Sequence, residues 1–415
     1  MIQRNAEIGT RCHNQLPLAP PASLENGTAD GIVCFAGVDW WYHNRGHSEC
    51  QIMRRLAQRV PVLWVNSIGM RLPTPGKSEM MWTRYARKLR STLKGLRRDE
   101  CGLWVYSPIF VPRFTARAVE ANGWLLDLQV GWLLRFLGIR RPSLFVTVPT
   151  ACAAAERRRY VKTVFNRCDA FSEFPEVDAA LIGSLESRLL ERADDVIYVN
   201  AALFERERDR VRHAHFVDHG VDFEHFASAR SLTGPVHAAP DLIANLPRPI
   251  IGFYGALDAY TVDLDLMIRV AREHRSATLL VIGPRAMDID PLLREPNVCY
   301  LGPVSYELLP SYAAHFDVGI MPWLRNDWIA ACNPIKLKEY LALGFPVVTI
   351  RFPQLSPYED IVDAADDADS FLAALARALR ERDPGAAERR RERVRHASWK
   401  AVSDGVGKLL GLGSR

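Results

Sequence analysis

Asn333 to Val348 reads NPIKLKEYLALGFPVV, a short helix with start and stop signals that runs into a buried strand. Asn333 can cap the helix, Pro334 suits its first position, and Gly344 suits the residue just past its end. Phe345 to Ile350 is an apolar, β-branched run of strand type. Lys336 breaks the pattern. A cation in the first turn opposes the helix dipole, and Glu339 follows it in the less favourable Lys-before-Glu order. A local rule broken inside a well-formed element points to a ligand. The ligand that would offset the violation is an anion such as a phosphate, held by backbone N–H groups and the ammonium together.

The same helix-to-strand rhythm extends outward. GIVCFA (Gly31 to Ala36), VLWVN (Val62 to Asn66), LWVYS (Leu103 to Ser107), SLFVTV (Ser143 to Val148), KTVFN (Lys162 to Asn166) and DVIYV (Asp195 to Val199) are strand candidates. Helical patterns separate them, among them Glu49 to Arg59, where Ser48 and Gln51 suit a capping box. HFVDHGVDFEHF (His215 to Phe226) and a loop with several Ala, Gly and Pro residues, Ala227 to Pro249, precede a second series. That series is Ile250 to Gly255, Thr278 to Gly283, Val298 to Gly302, Asp317 to Trp323 and Phe345 to Ile350. Near-continuous apolar strands alternating with helices predict parallel, doubly wound sheets covered on both faces. The doubling predicts two α/β domains, 30–226 and 227–395, facing across a cleft, with ligands at the carboxyl ends of the strands. Residues 396–415 read as a final helix packing back.

The 415 residues suit two such domains, and 48% hydrophobic with 24% charged residues is a globular composition. The net charge of +5 is mild. Cys12, Cys34, Cys50, Cys101, Cys152, Cys168, Cys299 and Cys332 are scattered with no CxxC pair, which argues against structural zinc and a disulfide scaffold and for a reducing cytosol. Residues 1–29 read as a disordered tail without a signal-peptide pattern, and no apolar run is long enough to span a bilayer.

Four segments together resemble the GT-B class of nucleotide-sugar glycosyltransferases, including its family 1/4-like enzymes. KLKEYLALGFPVV resembles the donor-site signature of that class, and HGVDFEHF the segment that ends its first domain. Pro296 to Trp323 resembles the class's asparagine, leucine-glycine, leucine-proline, alanine-Asp segment. Ser398 to Val406, SWKAVSDGV, resembles the tryptophan-bearing final helix that packs back on the donor domain. The match covers roughly residues 160 to 405. Two departures stand out. Of the two glutamates eight residues apart in the large retaining family, Glu339 fits the second, whereas Ala331 occupies the place of the first. The Arg and Lys that follow the first glycine of the donor domain are also missing, with Ala256, Leu257, Asp258, Val262, Asp263 and Leu264 in their stead. Lys336 would then carry the diphosphate charge. A Lys there is similar to the xanthan-type glucuronosyltransferase, an inverting enzyme, and FNRCDAFSEFPE (Phe165 to Glu176) resembles teichuronic-acid-type glycosyltransferases.

An inverting transfer needs a base for the acceptor hydroxyl and charge stabilisation for the departing nucleoside diphosphate. Asp169, at a strand's carboxyl end and where the resemblance implies the catalytic Asp, is the first candidate base; a turn-capping role is its alternative. Asp39 in GVDWWYHNRGHS (Gly37 to Ser48) is the second. His43, His47 and Trp41 of that loop are candidate acceptor contacts. On the donor side the candidates are Gly255 and Gly283, which end their strands tightly, Asn333, Lys336, and Glu339 as the ribose acceptor implied by the signature. No Asp-x-Asp pair stands at a strand end, so a metal-independent reaction with the nucleotide sugar as the sole donor, and no further cofactor, is expected.

RYARKLRSTLKGLRR (Arg84 to Arg98) carries seven Lys or Arg residues with apolar residues near helical spacing. Beside it GWLLDLQVGWLLRFLGIRR (Gly123 to Arg141) is strongly apolar and reads equally well as a core helix. The basic helix could meet an anionic membrane surface and a lipid-linked acceptor; nothing accompanies it that marks nucleic-acid binding. The expected function is glycosyl transfer to a cell-envelope or exopolysaccharide intermediate at the cytoplasmic membrane face. A soluble glycosyltransferase of small natural products and a sugar-nucleotide-binding subunit without catalysis are the alternatives.

Overall fold

The computed structural model describes residues 28–43, 45–70, 87–174, 177–229, 243 and 245–413. Most of the expected tail and of the Ala227 to Pro249 loop, and Arg84 itself, lie outside them. Two sheets form. The first has eight strands in the order β3-β4-β2-β1-β5-β6-β7-β8: β1 (Gly31–Phe35), β2 (Val62–Val65), β3 (Leu96–Arg98), β4 (Trp104–Tyr106), β5 (Pro142–Val146), β6 (Thr163–Arg167), β7 (Asp195–Tyr198) and β8 (Ala214–Phe216). The second has six in the order β11-β10-β9-β12-β13-β14: β9 (Ile250–Tyr254), β10 (Thr278–Ile282), β11 (Val298–Gly302), β12 (Val318–Met321), β13 (Val347–Ile350) and β14 (Asp363–Ala365). Every pairing is parallel except β3 with β4. Both sheets reverse strand order beside their first strand, between β1 and β5 and between β9 and β12. These are the switch points where doubly wound sheets open a crevice.

The apolar runs make the strands they announce because parallel strands are buried on both faces; β1, β2, β5, β9 and β10 have no exposed residue. Three short strands were not legible. β3 lies inside the basic stretch expected to be one helix: helical residues 87–93 end, Gly95 turns the chain at φ +60°, and Leu96–Arg98 pairs with β4. β8 and β14 are half-buried edge strands of three residues, too short to show a period.

The ends of the chain interlock the domains. Val221, Phe223 and Phe226 join the core of the second domain. Val221 N–H donates to Ala397 O at 2.6 Å and its carbonyl accepts Trp399 N–H at 3.3 Å. The final helix, Trp399–Leu409, does not rest on the donor domain as the resemblance implies. Its buried face, Trp399, Val406 and the following Leu410, packs with Ile52, Met53 and Leu56 of the first domain. Ser143 Oγ donates to Leu410 O (2.7 Å), and Arg59 pairs with Asp404 (3.2 Å). The reason is coverage: the face of the first sheet carrying Ile32, Cys34 and Trp64 would otherwise lie open.

Candidate active site

The helix Ile335–Leu343 forms as the sequence implies, closed by Gly344 at φ +83°. Its start differs from expectation. Pro334 takes the N-cap place without a side-chain cap, and Asn333 is not the cap. Its amide reaches the first domain instead, donating to Val199 O at 2.8 Å and to Asp218 Oδ1 at 2.9 Å. The first N–H groups of the helix therefore have no side-chain cap.

Lys336 leans from the first turn of this helix over the carboxyl end of β9. Its Nζ stands 4.7 Å from the centre of the Phe253 ring and 5.8 Å from that of Trp323. A Cβ on Gly255, which has φ +145°, would lie 2.3 Å from Nζ. A Cβ on Gly283, at φ +143°, would lie 1.9 Å from Gly255 O. The two glycines thus let β9 and β10 end backbone on backbone beneath the ammonium. Gly283→Ala is expected to cost about 2–4 kcal/mol of stability from strain and clash, read as a lowered urea midpoint at unchanged slope. Burial lowers the Lys336 pKa to about 8, against the pull of Glu339 and then Asp258.

Glu339 is buried, with Oε2 accepting the Tyr254 hydroxyl at 2.8 Å. Burial raises its carboxyl to about 7, opposed first by that hydrogen bond and then by Lys336. Tyr254 was not anticipated. It ends β9, where only the pairing with Glu339 makes it more than a core residue. Lys338 was also missed. It is 1% exposed, yet its Nζ donates to His219 O and meets Asp218 at 2.6 Å. A Lys amid apolar helix neighbours was the available signal. Lys338→Met keeps the packed stem and removes both contacts. Because Asp218 is exposed, a stability loss of only about 1 kcal/mol is expected, together with a larger radius of gyration by small-angle scattering as the domains loosen.

From the first domain, Asp169 follows β6. The adjoining turn Phe171–Glu173 takes no side-chain cap, so Asp169 does not cap it. Burial raises its carboxyl above the ordinary Asp value, opposed by Cys168 and then Arg167. Cys332, just before the donor helix, lies in the fields of both Asp169 and Lys336; burial and then Asp169 push its thiol up to about 12. Phe174 packs edge-on against Trp328 at 4.8 Å. The segment after β6 and the segment before the donor helix therefore meet across the two domains.

The Gly37 to Ser48 loop is fixed from within, and the Asp39 carboxylate is tied into it. Its Oδ1 accepts Trp41 N–H (3.0 Å) and its Oδ2 accepts the Ser91 hydroxyl (2.8 Å). The capping box is also not made. His47 takes the N-cap place of the helix Ser48–Leu56 without a side-chain bond, and Gln51 turns to Arg45 O. Buried Glu49 does the anchoring, accepting Gly37 N–H (3.1 Å), Val38 N–H (3.0 Å) and the Thr147 hydroxyl. Trp41 is half-buried under Lys94, whose Nζ is 4.3 Å from its ring. His43 and His47 remain open to the cleft with ring centres 6.1 Å apart. Crowding by the cleft walls, then His43, lowers His47 to about 4. Deeper in the cleft, burial and then Lys338 lower His219 to about 4 against the pull of Asp218. The His47 and His219 imidazoles are therefore neutral at pH 7. Among the described residues no three His, Cys, Asp or Glu side chains group as metal ligands.

Two Rossmann-like domains with a site walled by the carboxyl ends of both sheets define the GT-B fold. Residues 248–381, within the second domain, match the family model for Glycosyl transferases group 1. TuaH of Bacillus subtilis (strain 168), whose name assigns it to teichuronic acid biosynthesis as a glycosyltransferase, is 28% identical over 264 residues. That match takes in 60% of this chain and 64% of the relative's length. Sucrose-phosphate synthase from Thermosynechococcus elongatus superposes with a TM-score of 0.66 at 16% identity, covering 92% of this chain and 98% of that one. An E. coli trehalose-6-phosphate structure bound with UDP-2-fluoro glucose gives 0.63 at 13% identity, covering 93% and 100%. These likenesses establish the shared fold.

Proposed function

We infer that the chain transfers a sugar from a nucleoside-diphosphate sugar to a hydroxyl of a cell-envelope or exopolysaccharide intermediate, with inversion at the sugar carbon. The reading is carried by one observation: an ammonium over a glycine floor at the start of a helix without a side-chain cap. The diphosphate lies across Gly255 and Gly283. Lys336 and the helix N-terminus meet the negative charge that grows on it as the sugar departs, so no metal ion or further cofactor is required. Asp169 takes the proton of the acceptor hydroxyl. Glu339, held by Tyr254, receives the ribose. His43, His47 and the free face of Trp41 contact the acceptor.

UDP is the first nucleotide to try, since it is the one bound in the E. coli neighbour, and the name of TuaH directs the acceptor toward envelope polysaccharides. A lipid-linked acceptor would meet the protein at the cytoplasmic membrane face, through the basic stretch ending at Arg98. The test is a screen of UDP- and GDP-sugars for transfer or slow hydrolysis by the full chain. Turnover of one donor, abolished in the double variant Lys336→Ala/Asp169→Asn, supports the reading. Binding of donors with turnover of none would leave a sugar-nucleotide-binding subunit.

A further inference from the structure

The helix Ala116–Phe136 is more than a core element. One face is buried through Val119, Leu126, Val130, Leu133 and Leu134. The opposite face carries Trp124 (55% exposed), Leu128 (51%), Trp132 (63%) and Phe136 (63%) at a constant spacing of four. Trp132 and Phe136 stack in parallel with centres 5.7 Å apart. Four bulky apolar side chains in one stripe are costly to leave in water, at about 25 cal/mol per Å² of apolar surface, and a contiguous stripe of this kind marks a contact surface.

Two neighbouring elements extend it. Ile109 and Val111 are exposed and tied to the helix: Ile109 N–H donates to Gln129 Oε1 (2.9 Å) and Val111 N–H to Asn122 Oδ1 (2.7 Å). A shallow groove of about 290 Å³, lined by Tyr106, Leu128, Gln129, Trp132 and Leu133, joins them. On the far side, Lys88 Nζ lies 5.3 Å from the Phe110 ring, which brings in residues 87–93 with exposed Leu89 and Leu93.

The charge around this face has one sign. From Arg87 to Arg98 there are six Lys or Arg residues and no acid. Arg117 and Arg135, both exposed, stand at the two ends of the stripe. The helix's own acids are turned away and paired, Glu120 with Arg157 and Arg188, and Asp127 with Arg158. Apolar aromatic rings rimmed by cations that form no ion pair among the described residues complement the interface of an anionic bilayer, where the rings enter the acyl boundary and the exposed cations meet headgroup phosphates. A protein partner with an apolar patch would not call for the excess of cations.

We propose that this face docks the first domain on an anionic membrane, with Trp124 and Trp132 as its anchors. The proposal rests on the reading of an envelope acceptor and deepens it. Ile109 and Val111 follow β4 at the carboxyl edge of the first sheet, the same edge that carries Asp169, so the docked face leads from the bilayer to the rim of the site. Among the described residues no helix is long and apolar enough to cross a membrane, and the docking is interfacial.

The experiment is co-sedimentation of the full chain with vesicles of phosphatidylcholine and phosphatidylglycerol in equal parts, against phosphatidylcholine alone. The expected result is binding to the anionic vesicles that falls with salt. It weakens about tenfold or more in Trp124→Ser/Trp132→Ser and by a similar factor in Arg87→Gln/Arg90→Gln. Trp124→Phe/Trp132→Phe should retain most of it. Titration of each variant with UDP separates the two readings: intact UDP binding with lost vesicle binding is the expected pattern, and serine variants that lose both have lost the fold and are replaced by the arginine pair. Unchanged vesicle binding in the serine and arginine variants overturns the proposal, as does a wild-type chain that ignores anionic vesicles. Concentration-dependent dimers that vanish in the serine variant, with no vesicle binding, would assign the face to a second copy.

Discussion

Lys336→Ala is expected to lower kcat/KM for the nucleotide sugar by about 10²–10³-fold, the range for removing a donor that meets charge developing in the transition state. The fold should survive, because Nζ rests on the Phe253 and Trp323 rings and a glycine floor and makes no ion pair among the described residues. The pH profile carries the sharper signature. Lys336 has a pKa lowered to about 8 by burial, so its ammonium is present below that value and lost above it. The diphosphate affinity it supplies is complete at pH 7 and declines as pH rises through about 8. Since kcat/KM reports the free enzyme, its alkaline limb should fall there. In Lys336→Arg, whose guanidinium stays charged, the remaining activity should run flat to about pH 10. An alkaline limb unmoved by this change would assign it to another group.

Asp169→Asn is expected to lower kcat by about 10²–10⁴-fold, the contribution of a positioned base, while the KM for the donor stays within a few-fold. The carboxyl is raised above the ordinary Asp range by burial. The acid limb of the profile should therefore lie above the ordinary Asp value and rise with pH as the group loses its proton. Asp39→Asn serves as the contrast. Its carboxylate is spent on Trp41 N–H and the Ser91 hydroxyl, so this change should act on stability and leave the limb in place. Loss of the limb in Asp39→Asn with Asp169→Asn fully active would reverse the assignment.

The two sheets were legible because parallel strands buried on both faces leave continuous apolar runs, and the donor helix was legible because Gly344 and the misfit Lys336 stand at fixed offsets in it. What escaped depends on contacts across the fold. Asn333 fits a cap by type, yet spends its amide on Val199 and Asp218, residues more than a hundred positions away. Asp39 fits a base by place, yet Ser91 reaches it from an element read as a free helix. The stripe of Trp124, Leu128, Trp132 and Phe136 sits in a helix apolar all round, so periodicity could not separate its core face from its open one. His219 and Lys338 lie inside quoted motifs and Tyr254 merely ends a strand, yet each gains its role from a partner on another element.

Calorimetric titration of UDP and GDP into the wild-type chain and Lys336→Ala at pH 7 tests the central claim without needing the acceptor. Binding of one of these diphosphates to the wild type, weakened about 100-fold or more in the variant, is the predicted result. Equal affinity of the two proteins for that diphosphate would contradict a site built around Lys336.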